Sequence, residues 1–245
     1  NLTPVKTENF EWNINYNIAF NHNEVIVLPD NQPVGGISTG VGNNVQMHSV
    51  GEQPYSFFVY KQIYDANGLP IEGAFADLNG DNQINDSDKY FYKDPFADIL
   101  MGINTDLRYK NWDLSVISRV SLGNYVYNDV KASKGILDLA VPSTNDYITN
   151  LHTDYLSSGF TTISDVTALS DHFIEDGSFF RIDNIAIGYN AKQISKGVDA
   201  RFFGSVQNVA TFTKYSGIDP EIPSGIDNNF YPRPRSFMFG VNFNF

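Results

Sequence analysis

A run of acidic and amide side chains between Asp77 and Asp88 is the strongest chemical signal in the sequence. Its oxygens alternate along the chain and end with an acid at the twelfth place, the spacing with which loops wrap around calcium. Asn82 stands where such loops usually carry glycine, and the flanking segments do not resemble the helices of an EF-hand. We expect an isolated calcium loop with these ligands: Asp77, Asn79, Asp81, Gln83 through its carbonyl, Asn85 through water, and Asp88. The alternative is an Asx-rich surface turn that closes without an ion.

No other motif predicts chemistry. The segment from Gly36 to Gly40 matches the G-x-S-x-G pattern, but neither the strand nor the helix of a nucleophile elbow is predicted around Ser38. The four histidines lack metal-ligand spacing, and no pair of carboxylates stands out as an acid and base: the histidines are His22, His48, His152 and His172. The sequence therefore predicts no enzyme.

The elements that position these residues are strands with two different faces. From Phe10 to Asn21, aromatic and aliphatic residues alternate with polar ones, and the same period of two returns from Ser236 to Phe245. Strands of about 9 to 11 residues with one apolar and one polar face are typical of membrane barrels, where lipid lies outside and water inside. The chain ends on the apolar phase at Phe245.

A hairpin lies between these two strands. Lys110 and Asn111 form its turn, and hairpin parity places four charged residues on its polar face: Asp106, Arg108, Asp113 and Arg119. Two further strands have mixed faces and an ambiguous register. We predict membrane strands at about residues 10–21, 99–109, 112–122, 179–189, 200–209 and 235–245. Long extracellular loops follow at about 29–98, 123–178 and 210–234, and a shorter link at 190–199.

Composition narrows the class of protein. The chain has 28 acidic and 16 basic residues and a net charge of -12, which argues against nucleic acid or an anionic membrane surface as partner. It has no cysteine, and no apolar run reaches the roughly 18 residues of a membrane helix. We predict an all-β fold, the antiparallel strands of a transmembrane β-barrel. Six strands leave two unpaired edges in lipid, so further strands must complete the barrel. A soluble antiparallel sandwich is the alternative.

Five stretches, in order along the chain, resemble the motifs of one known protein family. Residues 51–61 resemble the family's GxPxGxFxGYK, residues 77–88 its DLNGDGxIDxxD, and residues 109–115 its YKGFDLS hairpin. Residues 175–184 resemble EDGSFLRLKN, and residues 231–235 match YPRPR before the last strand. The chain therefore resembles the C-terminal barrel portion of the SusC-like (RagA-like) TonB-dependent transporters of the Gram-negative outer membrane. Phe245 matches the terminal aromatic residue that acts as the assembly signal of this family.

The resemblance implies a barrel of about 22 strands with an N-terminal plug. It also implies a SusD-like surface lipoprotein as partner, energy from the TonB complex, and import of oligosaccharides or peptides. The C-terminus would lie in the periplasm. The plug and earlier strands are expected outside this chain. Two alternatives stay open: a soluble calcium-dependent carbohydrate-binding module, and an outer-membrane barrel with a structural or secretion role.

Overall fold

The computed structural model describes residues 1–40, 42–140, 147–162, 164 and 166–244. These residues form sixteen strands: β1 (Leu2–Lys6), β2 (Phe10–Phe20), β3 (Gln32–Gly36), β4 (Asn44–His48), β5 (Ser56–Tyr60), β6 (Gln62–Tyr64), β7 (Pro70–Phe75), β8 (Lys89–Phe91), β9 (Ile99–Tyr109), β10 (Trp112–Leu122), β11 (Tyr125–Asn128), β12 (Ile174–Asp176), β13 (Phe179–Ser195), β14 (Val198–Thr213), β15 (Ile226–Asp227) and β16 (Ser236–Asn244). Short helices are α1 (Asp129–Lys134) and α2 (Tyr155–Ser158), with single 3₁₀ turns at Asp86–Asp88, Leu137–Leu139 and Asp171–Phe173. None of the helices in the described part of the chain is long and apolar enough to span a membrane.

Seven strands form one antiparallel sheet in the order β1-β2-β9-β10-β13-β14-β16. The β9–β10 hairpin keeps its register from Tyr109 opposite Trp112 to Ile99 opposite Leu122 without a shift. Strand β2 pairs with β9 over its whole length, from Phe10 to Phe20. Because side chains alternate between faces along a strand, this unbroken register puts the alternating apolar side chains of β2, β9 and β10 on the same face of the sheet.

The apolar face of this sheet is open rather than buried. Phe239 is 83% exposed and Phe20 is 72% exposed, although both are large and apolar. Other large exposed side chains share that face: Tyr16, Tyr109, Trp112, Ile187, Phe202 and Phe237. Monomeric soluble proteins rarely expose contiguous apolar surface on this scale, so the face requires an apolar environment.

The opposite face carries the polar residues of the same strands. Glu11 lies opposite Arg108, and Asn13 lies opposite Asp106. Further along, Arg201 donates to the two carboxylate oxygens of Asp113 at 2.8 and 2.7 Å. Hydrophobic-out and polar-in is the arrangement of strands that enclose a water-filled lumen within a membrane.

The hydrophobic core lies outside the large sheet. We call the described residues of segments 21–98, 123–178 and 214–235 the loop body, since these segments connect strands of the large sheet. The loop body encloses the main cluster of buried apolar side chains: Val45, Phe57, Val59, Tyr60, Phe75, Tyr127, Ala132, Phe160, Ala168, Leu169, Phe173, Ile174 and Ile226. The long connections are therefore a folded unit with its own core and small sheets, rather than extended loops.

The structure corrects the predicted strand arrangement at two places. The sheet contains a seventh strand, β1, which pairs with β2 between Leu2 and Lys6 and which lacks clear alternation in the sequence. The predicted link at 190–199 is wrong, because β13 and β14 continue through it to a tight turn at Lys196–Gly197. The mixed faces of these strands have a physical cause: their pairing shifts between Ile182 and Asn184, so the alternation changes phase there.

Candidate functional site

The loop from Asp77 to Asp88 folds around its own carboxylates. Asp77 accepts hydrogen bonds from the backbone N–H of Gly80 at 2.6 Å and of Asn82 at 2.8 Å. Asn82 adopts a φ of 63°, the left-handed conformation that usually requires glycine at this place. Asn tolerates that conformation better than most residues, so the departure from the usual pattern does not prevent the turn.

The acid at the end of the loop is its anchor. Asp88 is fully buried, and it accepts from the N–H of Leu78 at 2.9 Å and of Asn85 at 3.0 Å. These backbone donors, that of Asn85 above all, hold the pKa of the Asp88 carboxyl below its usual value. Asp77 accepts from the N–H groups of Gly80 and Asn82, and Asp88 accepts from those of Leu78 and Asn79, so the first and last acids of the loop both bind the backbone between them.

The middle residues of the loop make local turns. Asn79 accepts from the N–H of Asp81 at 2.9 Å, and Asp81 accepts from that of Gln83 at 2.8 Å. Asn85 caps the 3₁₀ turn by accepting from Ser87. Among the described residues, no group of three or more His, Cys, Asp or Glu side chains is arranged to hold a metal ion. The loop thus closes through its own hydrogen bonds, as the Asx-turn alternative requires.

A network of six charged side chains lies on the polar face of the large sheet. Arg181 on β13 is only 1% exposed, and it contacts Asp219 at 2.5 Å and Glu221 at 3.1 Å. Arg119 on β10 donates its Nε to Asp183 at 2.9 Å and its two terminal nitrogens to Glu221. Bidentate pairs of this kind fix geometry as well as charge.

The network fastens segment 214–235 of the loop body to the large sheet. Arg233, beyond Glu221 in the chain, contacts Asp219 at 3.0 Å and Glu221 at 2.8 Å. Glu221 therefore lies among three arginines, and Asp219 lies between two. Three arginines balance three carboxylates, so burial leaves no unpaired charge.

A cavity of about 840 Å³ opens beside this network. It is bounded by β2, β9 and β10 near Ala19, Leu100 and Ser121, and by two proline-containing turns at residues 95–97 and 220–223. Arg119 and Glu221 supply its charged groups. The volume is within the range of small-molecule sites, and apolar walls with a few convergent polar groups are typical of them.

Sequence reasoning placed Arg119 on the polar face but missed its partners. Asp183 is 64 residues away and Glu221 is 102 residues away, so no local pattern connects them. Ser38, rejected as a nucleophile, donates its hydroxyl to Asp129 at 2.6 Å. The Nε2 atom of His172 lies 3.7 Å from a carboxylate oxygen of Asp154. The proposed assembly signal, Phe245, lies outside the described residues.

Comparison with known proteins decides the family. The chain is 41% identical over 257 residues to the TonB-dependent receptor SusC of Bacteroides thetaiotaomicron, a match that includes all of this chain and 25% of that protein. The chain belongs to the SusC-like TonB-dependent receptors. It is also 30% identical over 284 residues to the TonB-dependent receptor P3 of Formosa agariphila, of which it covers 28%. The match covers all of this chain.

Solved structures support the same fold. The structure of the RagAB peptide transporter superposes on 98% of this chain and 28% of that chain, with a TM-score of 0.71 and 17% identity. The RagAB peptide importer in its open-open state gives the same TM-score over 99% of the chain. No family model matches the chain.

These matches show that the chain has the fold class of the TonB-dependent receptors, which is built from antiparallel strands. The members of the SusC-like family are outer-membrane proteins rather than enzymes. The chain spans about a quarter of the length of the curated relatives that it matches.

Proposed function

We propose that the protein to which this chain contributes imports oligosaccharides or peptides across the outer membrane. One observation carries the proposal: a seven-stranded sheet has an exposed apolar face on one side and a charged, hydrogen-bonded face on the other. This arrangement suits a wall between lipid and an aqueous lumen. The relationship to SusC supports a wall of a TonB-dependent receptor rather than of a porin.

The two tight turns give the orientation that we propose. Lys110–Asn111 joins β9 to β10, and Lys196–Gly197 joins β13 to β14, at the same end of the sheet. Outer-membrane barrels have short turns on the periplasmic side and long connections outside. The loop body is then extracellular, and β16 descends toward a periplasmic C-terminus.

A SusD-like lipoprotein is the proposed partner of the loop body. The loop body has its own buried core, so it can present a defined protein surface to a lid. The plug, the remaining barrel strands and the TonB-binding segment belong to the rest of the receptor. The TonB complex would supply the energy for import through them.

Uptake by whole cells tests this function. The source bacterium should import fluorescent oligosaccharides or peptides, and deletion of the receptor should abolish that import. Deletion of TonB should abolish it equally while leaving the receptor in the outer membrane. Import that persists without TonB would favour a passive barrel. A chain that stays folded and monomeric without detergent and binds glycans would favour the soluble module instead.

We also propose calcium as a ligand of the Asp77–Asp88 loop, held by Asp77, Asn79, Asp81, the Gln83 carbonyl, Asn85 through water, and Asp88. Two observations fit this ion: the first and last carboxylates both bind backbone N–H groups within the loop, and Asn82 has the backbone conformation of the sixth loop position. Bound calcium would neutralise the carboxylates and tie the ends of the loop together. The internal hydrogen bonds mean that the ion would stiffen an already formed turn rather than fold it.

Hydrogen exchange of the full receptor, with and without a chelator, tests calcium binding. The backbone of residues 78–85 should exchange faster in chelator, and Asp81→Asn should reduce the difference. The Asx turn at Asp65, which accepts from Asn67 and Leu69 at 2.8 Å each, is a matched control without calcium spacing. Equal exchange of residues 78–85 in both conditions would leave the loop as a metal-free turn.

A further inference from the structure

Four tyrosines come together on the loop body, and we call them the tyrosine patch: Tyr64, Tyr90, Tyr92 and Tyr125. The ring centroids of Tyr90 and Tyr92 are 5.7 Å apart. The Lys93 ammonium lies 5.9 Å from the Tyr92 ring and 4.8 Å from the Tyr125 ring. The Tyr64 hydroxyl lies near His172, whose chain neighbour Asp171 accepts a hydrogen bond from Tyr90. These contacts link the four tyrosines into one group, although three separate segments contribute them.

The patch is at the surface rather than in the core. Tyr64 is 47% exposed and Tyr92 is 38% exposed, whereas Tyr60 on the neighbouring strand is only 5% exposed. Tyrosine rings combine a large apolar face with a polar tip, so they are costly to leave in water without a partner and well suited to an amphipathic one. The exposed rings of Tyr64 and Tyr92 are therefore available to a partner.

Polar side chains hold the patch in place. Tyr90 donates its hydroxyl to Asp171 at 2.7 Å, and the other Asp171 oxygen accepts from the backbone N–H of Gln62 at 3.0 Å. The Tyr64 hydroxyl lies 3.5 Å from the Nδ1 atom of His172. The rings are thus preorganised around a carboxylate, an imidazole and an ammonium group, which together supply both hydrogen-bond acceptors and donors.

The chemistry of this surface selects among partners. Rows of aromatic rings bind chain molecules whose repeating units have flat faces, either nucleobases or sugar rings. A carboxylate at the centre and a net charge of -12 on the chain oppose a polyanion. A sugar ring has an apolar C–H face that stacks on an aromatic ring and hydroxyls at its edge that need hydrogen-bond partners. An apolar peptide side chain would use the rings but not the polar groups around them.

We propose that the tyrosine patch is a binding subsite for neutral oligosaccharides, in which Tyr64 and Tyr92 stack on sugar rings. Asp171 and Lys93 bind the sugar hydroxyls. This inference rests on the proposed import function, and within it favours oligosaccharides over peptides as substrate.

Calorimetric titration of the full-length receptor, purified with its lipoprotein, tests the subsite. The probes are neutral hexasaccharides of glucan, xylan, mannan and fructan type. For the best binder among them, Tyr92→Ala should weaken binding by on the order of tenfold, the effect of losing one stacked ring. Tyr92→Phe keeps the ring and should change affinity by less than about threefold. Tyr231→Ala is the matched control, because Tyr231 is 86% exposed and lies outside the patch.

Three results would overturn the subsite. Equal affinity of Tyr92→Ala and Tyr231→Ala would remove the patch from sugar binding. Loss of the lipoprotein from purified Tyr92→Ala, with sugar affinity intact, would make the patch a protein interface. Uptake of peptides with binding to none of the hexasaccharides would refute the substrate class but leave import standing. Wild-type cells that take up neither class would instead refute the proposed function itself.

Discussion

Replacing Arg181 with methionine removes the buried centre of the charge network while nearly keeping the volume of the side chain. Arg181 is 1% exposed and contacts Asp219 and Glu221, which are themselves largely shielded. Removing one partner of a buried ion pair costs about 3 to 5 kcal/mol. We expect about 3 kcal/mol, the lower end of that range, because Arg119 and Arg233 still face the two carboxylates.

This loss should appear locally, as opening of segment 214–235. A cost of about 3 kcal/mol corresponds to a factor of roughly 150 in the opening equilibrium. Hydrogen exchange of the full receptor, measured by mass spectrometry, should therefore show peptides of this segment exchanging roughly 150 times faster in Arg181→Met than in the wild type.

The control is Arg201→Met, at the other end of the same sheet. Arg201 also makes a bidentate pair, with Asp113, but it is 42% exposed, so its loss should cost at most about 1 kcal/mol. Segment 214–235 should exchange normally in this variant. Acceleration of the segment by less than about threefold in Arg181→Met, or equally in both variants, would refute the claim that the network fastens it.

Three further predictions concern packing and pH. Gly240→Ala should destabilise the receptor by about 1 to 3 kcal/mol in urea unfolding, because an added Cβ would lie 2.3 Å from the Phe203 ring. Phe203→Ala should relieve the effect. An unchanged unfolding midpoint in Gly240→Ala would contradict this prediction. Partial burial and the nearby Asp171 carboxylate raise the pKa of Tyr64 to about 12, so its stabilising contribution is complete below pH 10 and is lost as pH rises toward 12. Absorbance at 295 nm should show one late-titrating tyrosine fewer in Tyr64→Phe, and an unaltered titration would refute this. The backbone donors that lower the pKa of Asp88 give a contribution to stability that is present above about pH 4 and is lost in stronger acid. Hydrogen exchange of residues 78–85, corrected for intrinsic rates, should therefore accelerate below about pH 4. In Asp88→Asn these residues should exchange fast at every pH.

The strands that sequence predicts best are those with two unlike faces. Apolar residues lie on one face and polar residues on the other in β2, β9, β10 and β16. A register slip of one residue would therefore move polar side chains to the apolar face. Strand β13 lacks that constraint, because its pairing shifts near Asp183 and its last residues are mostly polar. Strand β1 is short, contains Pro4 and lies at the edge of the sheet, where pairing needs little sequence signal.

The sites divide in the same way. The Asp77–Asp88 loop is local, so its spacing is visible in the sequence and its turn geometry follows from Asx chemistry. The charge network and the tyrosine patch join residues that lie far apart in the chain, such as Arg119 with Glu221 and Tyr90 with Asp171. Only the three-dimensional pairing of the segments brings them together, and one sequence contains no record of that pairing.

The lipid-facing side of β2 provides the most direct test of the membrane-wall claim. The chain has no cysteine, so single cysteines can be placed from Glu11 to Ile18 of the receptor and spin-labelled in lipid vesicles, with any cysteine elsewhere in the receptor removed. Labels at Trp12, Ile14, Tyr16 and Ile18 should be accessible to oxygen, which concentrates in lipid. Labels at Glu11, Asn13, Asn15 and Asn17 should be shielded from it. Alternation with a period of two is the expected result. Equal accessibility of both sets to a water-soluble nickel chelate would contradict a wall between lipid and lumen.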